Sequence, residues 1–105
     1  MRRALRIHPG ADAEVKEAAA FLNEKTPGAG NDFIVAVGIA MRNARRAPRI
    51  GQLVTATRTK AEIRRMRVRP NDYQVVYLVY DDHILVAAVA HNKRKPSYWL
   101  DRVPS

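Results

Sequence analysis

Apolar and polar residues follow two different periods along the chain. After a short alternating run over residues 4–8, halted by a Pro-Gly pair, apolar side chains in residues 11–25 recur at helical spacing. A second helical pattern begins near Asn31 or Asp32, either of which can cap a helix, and ends around Arg46. The first half of the chain is therefore predicted to be one strand followed by a helical hairpin.

Three strand-like runs fill the second half. Residues 62–68 alternate between apolar and basic side chains, and residues 73–80 and 83–90 are β-branched and aromatic. The connections are short, whereas a parallel crossover needs a dozen or more residues, so these strands should be antiparallel neighbours. Residues 48–61 have no clear period and are predicted to be a loop. The predicted fold class is α+β in the order β-α-α-β-β-β, with the hairpin on one face of a small twisted sheet and the other face partly open.

The totals describe one strongly basic domain that spans residues 1–105. Nineteen Lys and Arg against ten Asp and Glu give a net charge of +9, which attracts nucleic acid, an anionic membrane or an acidic protein. Cysteine is absent and the three histidines lie far apart, so we expect no disulfide, metal or cofactor. With no apolar run of membrane-spanning length and no secretory signal, the expected location is the cytoplasm.

One predicted strand ends in an unusual cluster of cations and aromatic rings. The residues concerned are His91, Lys93, Arg94, Lys95, Tyr98 and Trp99. Such a cluster is typical of a site for an anion with stackable rings, as in RNA. It is equally typical of a charged turn followed by a tail that packs over the sheet. Of the two neighbouring rings, Trp99 is the better core anchor and Tyr98 the better candidate for chemistry.

The element order, the stretch YQVVYLVYDDHILVAAVAH and the closing RKPSYW together resemble the RelE/ParE toxin superfamily of type II toxin–antitoxin modules. The basic tail is similar to that of the ParE-like, or plasmid-stabilisation, group. The resemblance implies a growth-inhibiting toxin held by an antitoxin, whose C-terminal segment should be acidic and amphipathic to complement a basic protein. RelE-like members are metal-independent endoribonucleases that cut mRNA on the ribosome, whereas ParE-like members inhibit DNA gyrase. Both mechanisms stay open here.

RNA cleavage without a metal needs a base for the 2′-OH, an acid for the leaving 5′-oxygen and cations for the phosphate. The resemblance implies catalytic roles for Arg65 and Arg67, which alternation places on one face of a strand, and for Arg94 and Tyr98. Surrounding guanidinium groups are expected to favour the Tyr98 phenolate, which could then act as the base. Gln74 stands where the ribonucleases carry an arginine. Because arginine releases protons poorly, phosphate binding is better supported than proton transfer.

The first hypothesis from these residues is a toxin that acts as a ribosome-dependent endoribonuclease. The alternatives are a gyrase inhibitor without nuclease activity and a degenerate toxin that only binds its antitoxin. The strand arginines can equally form a solvated face or pair with an acidic antitoxin. His91 is a lesser candidate for the general acid, because an unperturbed imidazole titrates near neutrality. Arg69 or Lys93 could supply the cation that Gln74 does not.

Overall fold

The computed structural model describes residues 3–55, 59–69, 72–95 and 97–104. The elements in chain order are β1 Ala4–Ile7, α1 Pro9–Lys25, α2 Ala29–Arg46, β2 Gln52–Leu53, β3 Glu62–Val68, β4 Tyr73–Val79 and β5 His83–His91. Short 3₁₀ helices cover Pro48–Ile50 and Tyr98–Arg102. Both predicted helices and the four predicted strands are present, which confirms the α+β class and the helical hairpin.

Helix α1 begins at Pro9, although the Pro-Gly pair was predicted only to stop the first strand. Proline suits the first helical position, because its fixed φ is helical and its missing N–H would be unsatisfied there. The His8 side chain caps the helix by accepting a hydrogen bond from the Gly10 N–H at 2.9 Å. The His8 N–H donates to the Val86 carbonyl at 2.9 Å, which fixes the start of α1 against β5.

Helix α2 begins at Ala29, so the prediction that Asn31 or Asp32 caps it is wrong. The residue that precedes the helix is Gly28, which has a φ of 89°. Only glycine adopts this left-handed conformation at little cost, so the connection between the helices depends on it. Helices α1 and α2 pack closely at Gly30, where a Cβ would collide with the Ala19 carbonyl oxygen.

The five strands form a mixed sheet in the order β1-β5-β4-β3-β2. Strands β3, β4 and β5 are antiparallel neighbours as predicted, and β1 pairs with β5 in parallel. Of the predicted loop 48–61, residues 56–58 lie outside the described part of the chain, and Pro48–Ile50 form a 3₁₀ helix. The prediction is wrong at Gln52 and Leu53, which pair with β3 as an edge strand. Two residues are too few for alternation to reveal a strand.

Alternation along β3 directs its apolar residues to both faces of the sheet. Met66 and Val68 pack in the core beneath the two helices. Ile63 belongs to a second cluster on the opposite face, where Trp99 of the C-terminal 3₁₀ helix lies over β4 and β5 with 5% of its surface exposed. The prediction that Trp99 anchors the tail is therefore confirmed, and the tail covers part of the face that was expected to be partly open.

The tyrosines in β4 and directly after it pack against the sheet as predicted, and one of them also holds the segment that follows α2. Tyr73 and Tyr80 are partly buried against the helix-side core and the Trp99 cluster respectively. Tyr77 is fully buried, and its hydroxyl donates a 2.6 Å hydrogen bond to the Pro48 carbonyl. Burial raises the pKa of Tyr77. This bond fastens the end of the helical hairpin to the sheet.

Within the described residues, no helix is long and apolar enough to cross a membrane.

Candidate functional site

Two of the predicted site residues, Arg65 and Arg67, lie in an open groove of about 610 Å³. Because Met66 and Val68 face the helices, the alternating arginines face the opposite side of the sheet. The groove occupies the end of that face, beside the part covered by Trp99. Its lining residues are Ile50, Gly51, Gln52, Arg65, Met66, Arg67, Arg69, Gln74 and Asn92. We call this the arginine groove.

The chemistry of the arginine groove favours holding an anion. Arg65 donates from Nε and Nη2 to the Oε1 of Gln52 at 3.3 and 3.1 Å, which steadies its guanidinium at the rim. Arg67 lies opposite Gln74 in the β3–β4 register. The described residues that line the groove contribute guanidinium and amide groups but no carboxylate, imidazole or phenol. Guanidinium groups stay protonated, so the groove can bind phosphate but has no group of its own to move a proton near neutral pH.

The other two predicted residues, Arg94 and Tyr98, lie together beyond β5. The Arg94 guanidinium carbon is 4.0 Å from the centre of the Tyr98 ring, a cation–π distance. Arg102 approaches the same ring at 5.4 Å. The Tyr98 hydroxyl donates a 2.6 Å hydrogen bond to Oε2 of Glu14 on α1. The phenol therefore points at a carboxylate.

Glu14 is the centre of this second arrangement, and only 11% of its side chain is exposed. Its Oε1 accepts hydrogen bonds from the Val89 N–H at 3.0 Å and from Arg102 Nη1 at 2.9 Å. The same Arg102 nitrogen donates to the Ala87 carbonyl at 3.0 Å. The pairing of β1 with β5 ends at Val86. Beyond that residue, Glu14 and Arg102 form the hydrogen bonds to the β5 backbone. These contacts clamp α1, β5 and the C-terminal 3₁₀ helix together, and we call them the Glu14 clamp.

The neighbouring guanidinium groups act on the Tyr98 phenol in the predicted direction, but they do not decide the net shift of its pKa. The pKa of Tyr98 is raised, first by burial and then by the hydrogen bond to the Glu14 carboxylate. Arg94 and Arg102 act in the opposite direction but are outweighed. The bond to Glu14 also raises the pKa of Arg102. Tyr98 is therefore held as a neutral hydrogen-bond donor.

Comparison with known proteins now identifies the family. The model of the ParE toxin of type II toxin–antitoxin systems, parDE, matches residues 5–96. The chain belongs to the ParE toxin family. Membership implies an antitoxin partner for this toxin. No curated protein matches it.

Two solved structures share the fold of the ParE-family toxin. The chromosomal ParDE TA system from P. aeruginosa superposes with a TM-score of 0.71 at 9% identity, over 86% of this chain and 96% of that one. The YoeB dimer from Staphylococcus aureus superposes with a TM-score of 0.59 at 17% identity, over 87% and 98% of the two chains. At these identities the likeness shows a common fold.

The four site residues implied by the resemblance lie in two places in this toxin. Strand β4 lies between β3, which carries Arg65 and Arg67, and β5, which ends at His91 just before Arg94. Arg65 and Arg67 line the arginine groove, whereas Arg94 and Tyr98 contact Glu14 of the clamp. Their catalytic roles stay predictions.

His91 and Arg94 line a separate, smaller groove of about 180 Å³ between α1 and the end of β5. The His91 ring meets Tyr73 edge-on at a centroid distance of 5.1 Å. Its Nδ1 accepts a hydrogen bond from the Lys93 N–H at 3.1 Å. These contacts fix the imidazole at the end of β5. Of the two substitutes considered for the missing cation, Arg69 lines the arginine groove.

Sequence analysis missed Glu14 and Arg102. Glu14 precedes its partners Val89, Tyr98 and Arg102 by 75, 84 and 88 positions, so no local period connects them. One signal was available: a glutamate on the predicted inner side of a helix, near Val15 and Ala18, has to find a partner for its charge.

Proposed function

We propose that this toxin arrests growth by binding DNA gyrase, as a ParE-type inhibitor, and that it does not cleave RNA. The observation that carries the proposal is the bond from the Tyr98 hydroxyl to Glu14. It commits the residue that a ribonuclease would use as its base to a carboxylate, with a raised pKa. A gyrase inhibitor needs no such base, and its target would place the toxin in the cytoplasm.

The composition of the arginine groove supports the same conclusion. General acid–base catalysis requires a group whose pKa lies near the working pH and which can reach the reacting atoms. The groove supplies arginines and amides, which bind and orient phosphate but exchange protons poorly. The amide of Gln74 also stands where a ribonuclease would have a further cation to stabilise the transition state.

The test compares the wild-type toxin with Tyr98→Phe after induced expression. Incorporation of labelled thymidine and labelled methionine is followed in parallel, and the purified toxins are assayed for inhibition of DNA supercoiling. We expect DNA synthesis to stop first and both proteins to inhibit supercoiling equally. Loss of protein synthesis first, with an inactive Tyr98→Phe toxin, would overturn the proposal.

A matched substitution controls for the removal of a hydroxyl. Tyr80→Phe makes the same change where, among the described residues, the hydroxyl has no hydrogen bond; its ring stacks on His83. Tyr98→Phe should lower the free energy of unfolding by about 1.5–3 kcal/mol, because a hydrogen bond to a charged group is lost. Circular dichroism at the assay temperature establishes that all three proteins are folded. Loss of toxicity in a folded Tyr98→Phe toxin then cannot be ascribed to unfolding.

Ribosome-dependent, metal-independent mRNA cleavage is the second candidate function. The observation in its favour is the convergence of Arg65, Arg67 and Arg69 on one open groove that fits a phosphate chain. In this mechanism Arg94 and Tyr98 would have to act across the sheet, with Glu14 released. The same expression test decides, since only this mechanism predicts cleaved mRNA on stalled ribosomes. A toxin that retains only antitoxin binding would leave growth unchanged.

We further propose that the antitoxin partner is acidic and contributes an amphipathic segment. The net charge of +9 favours an acidic partner, and basic residues such as Arg42 and Arg46 lie on α2. On the same helix Ile34, Val35 and Ile39 are 48%, 62% and 48% exposed, an apolar surface in a basic setting. A helix with one apolar and one acidic side would complement both properties.

A further inference from the structure

The arginine groove concentrates positive charge that the described part of the protein leaves uncompensated. Arg65 and Arg67 on β3 and Arg69 just after it are exposed, and none of the three forms an ion pair with another described residue. By contrast, Arg64 next to them is paired with Glu62 at 2.7 Å. We propose that the arginine groove is a binding site for the sugar–phosphate backbone of duplex DNA.

The geometry of β3 supports a chain of phosphates as the ligand. Residues two apart on a strand lie on the same face at a spacing of roughly 6.6–6.8 Å, so Arg65 and Arg67 present a regular row of guanidinium groups. Repulsion between these neighbours is relieved when successive phosphates of one strand bind along the row. Gln52, Gln74 and Asn92 add amide donors at the sides of the groove. Arginine, amide and backbone donors are the groups that contact phosphate and sugar in protein–DNA interfaces.

The choice of a duplex follows from the positions of the aromatic rings. Proteins that bind single strands stack unpaired bases on aromatic side chains. The described residues that line the arginine groove include no aromatic ring. Trp99 is buried in the core, and the Tyr98 ring lies under Arg94 in the Glu14 clamp. The groove therefore offers contacts to a backbone whose bases remain stacked, without reading their sequence.

The choice of DNA over duplex RNA rests on the proposed function, because a gyrase inhibitor acts where DNA is held. The groove would then bind the DNA segment next to the enzyme while the rest of the toxin contacts gyrase. Binding to DNA alone is measured with purified toxin and without gyrase. Failure of this inference and failure of the gyrase proposal are therefore separate results.

The experiment measures binding of a fluorescent DNA duplex by anisotropy as a function of salt, for wild type and Arg65→Gln/Arg67→Gln. Each phosphate contact contributes about 0.9 to the slope of log K against log salt, so losing two should reduce the slope by about 1.8. At 0.1 M salt, loss of these two contacts should therefore lower the affinity of the double variant for duplex DNA by up to about 60-fold relative to wild type. A labelled single-stranded RNA of equal length is measured in parallel.

Arg42→Gln/Arg46→Gln is the matched control, because it removes the same charge from exposed positions on α2, on the other side of the sheet. We expect it to reduce the slope much less. Arg65→Lys/Arg67→Lys should keep most of the affinity, since point charges also bind phosphate. This variant and Arg67→Gln serve if the double glutamine variant does not fold.

Three results would overturn the inference. The first is a wild-type toxin that does not bind duplex DNA at low salt. The second is an equal loss in the groove and control variants, which would assign binding to net charge alone. The third is tighter binding of single-stranded RNA than of the duplex, which would point to the ribonuclease mechanism instead.

Discussion

Glu14→Gln should reveal how much the Glu14 clamp contributes to stability. The change keeps the size of the side chain but removes the charge of the carboxylate, which binds Arg102 at 2.9 Å and accepts a 2.6 Å hydrogen bond from the Tyr98 hydroxyl. Breaking a buried pair costs ~3–5 kcal/mol, because one charge is left uncompensated. The Arg102 side chain is 21% exposed, so water can rehydrate part of its charge. We therefore expect a loss of about 2–3 kcal/mol.

The loss is measured by thermal unfolding. For a domain of this size 1 kcal/mol shifts Tm by about 4–8 °C, so the expected decrease is roughly 10–20 °C. Glu17→Gln is the matched control, one turn further along α1 at an exposed position. It should change Tm by less than about 2 °C, since isolated surface charges contribute little. A Glu14→Gln protein that melts with the wild type would refute the energetic role of the clamp.

The titration of Tyr98 is a second test of the Glu14 clamp. If Glu14 only filled space, replacing it with Gln would not change the pKa of Tyr98. The carboxylate of Glu14 raises the pKa of Tyr98 through a hydrogen bond and through its charge. Glu14→Gln should therefore lower the pH at which tyrosinate absorbance appears, with Tyr98→Phe identifying the signal. The pKa of Tyr98 is higher in the folded state than the value of about 10 in the unfolded state. This difference stabilises the folded protein below about pH 10, and the stabilisation is lost as the pH rises above that value. Wild type should thus lose stability above about pH 10 more steeply than Glu14→Gln.

Two further substitutions test the tail and the partner surface. Trp99→Ala should cost about 3–5 kcal/mol in urea unfolding, because it opens a cavity over β4 and β5; a cost under about 1 kcal/mol would mean that the tail is not held by this ring. Val35→Lys changes a side chain that is 62% exposed, so Tm should be nearly unchanged. Antitoxin binding measured by calorimetry should weaken at least about tenfold, because the complex would bury a charge in place of an apolar contact. Unchanged antitoxin affinity would contradict an antitoxin site on α2.

Helices and strands with a periodic pattern of apolar residues could be predicted from the sequence. Features that depend on one residue or on a distant partner could not. The apolar positions 33, 37, 40 and 44 predicted α2 because each adds to one face of a helix. Its start depends on the conformation of Gly28 alone, which no period reveals. Strand β2 is defined by its pairing with Arg64 and Arg65, so it exists only because β3 is already in place.

The same distinction applies to the candidate site. Alternation alone places Arg65 and Arg67 on one face, and the structure confirms that placement. The surroundings of Tyr98 depend on Glu14, 84 positions earlier. Burial of the phenol and then this contact raise the pKa of Tyr98, against the expected direction. A nearby guanidinium is visible in the sequence, whereas a carboxylate brought in by another element is not.

The contacts of the C-terminal 3₁₀ helix also explain why two large rings follow a buried strand. Trp99 fills the apolar face over β4 and β5, and Tyr98, its neighbour, turns to Glu14 at the edge of β5. Arg102 completes the clamp by bonding to the β5 backbone at Ala87. These residues therefore act on the fold. Arg65 and Arg67 in the groove are exposed and have no such structural partner among the described carboxylates. Selection for binding a polyanion accounts for them more simply than selection for stability, because adjacent like charges destabilise a strand.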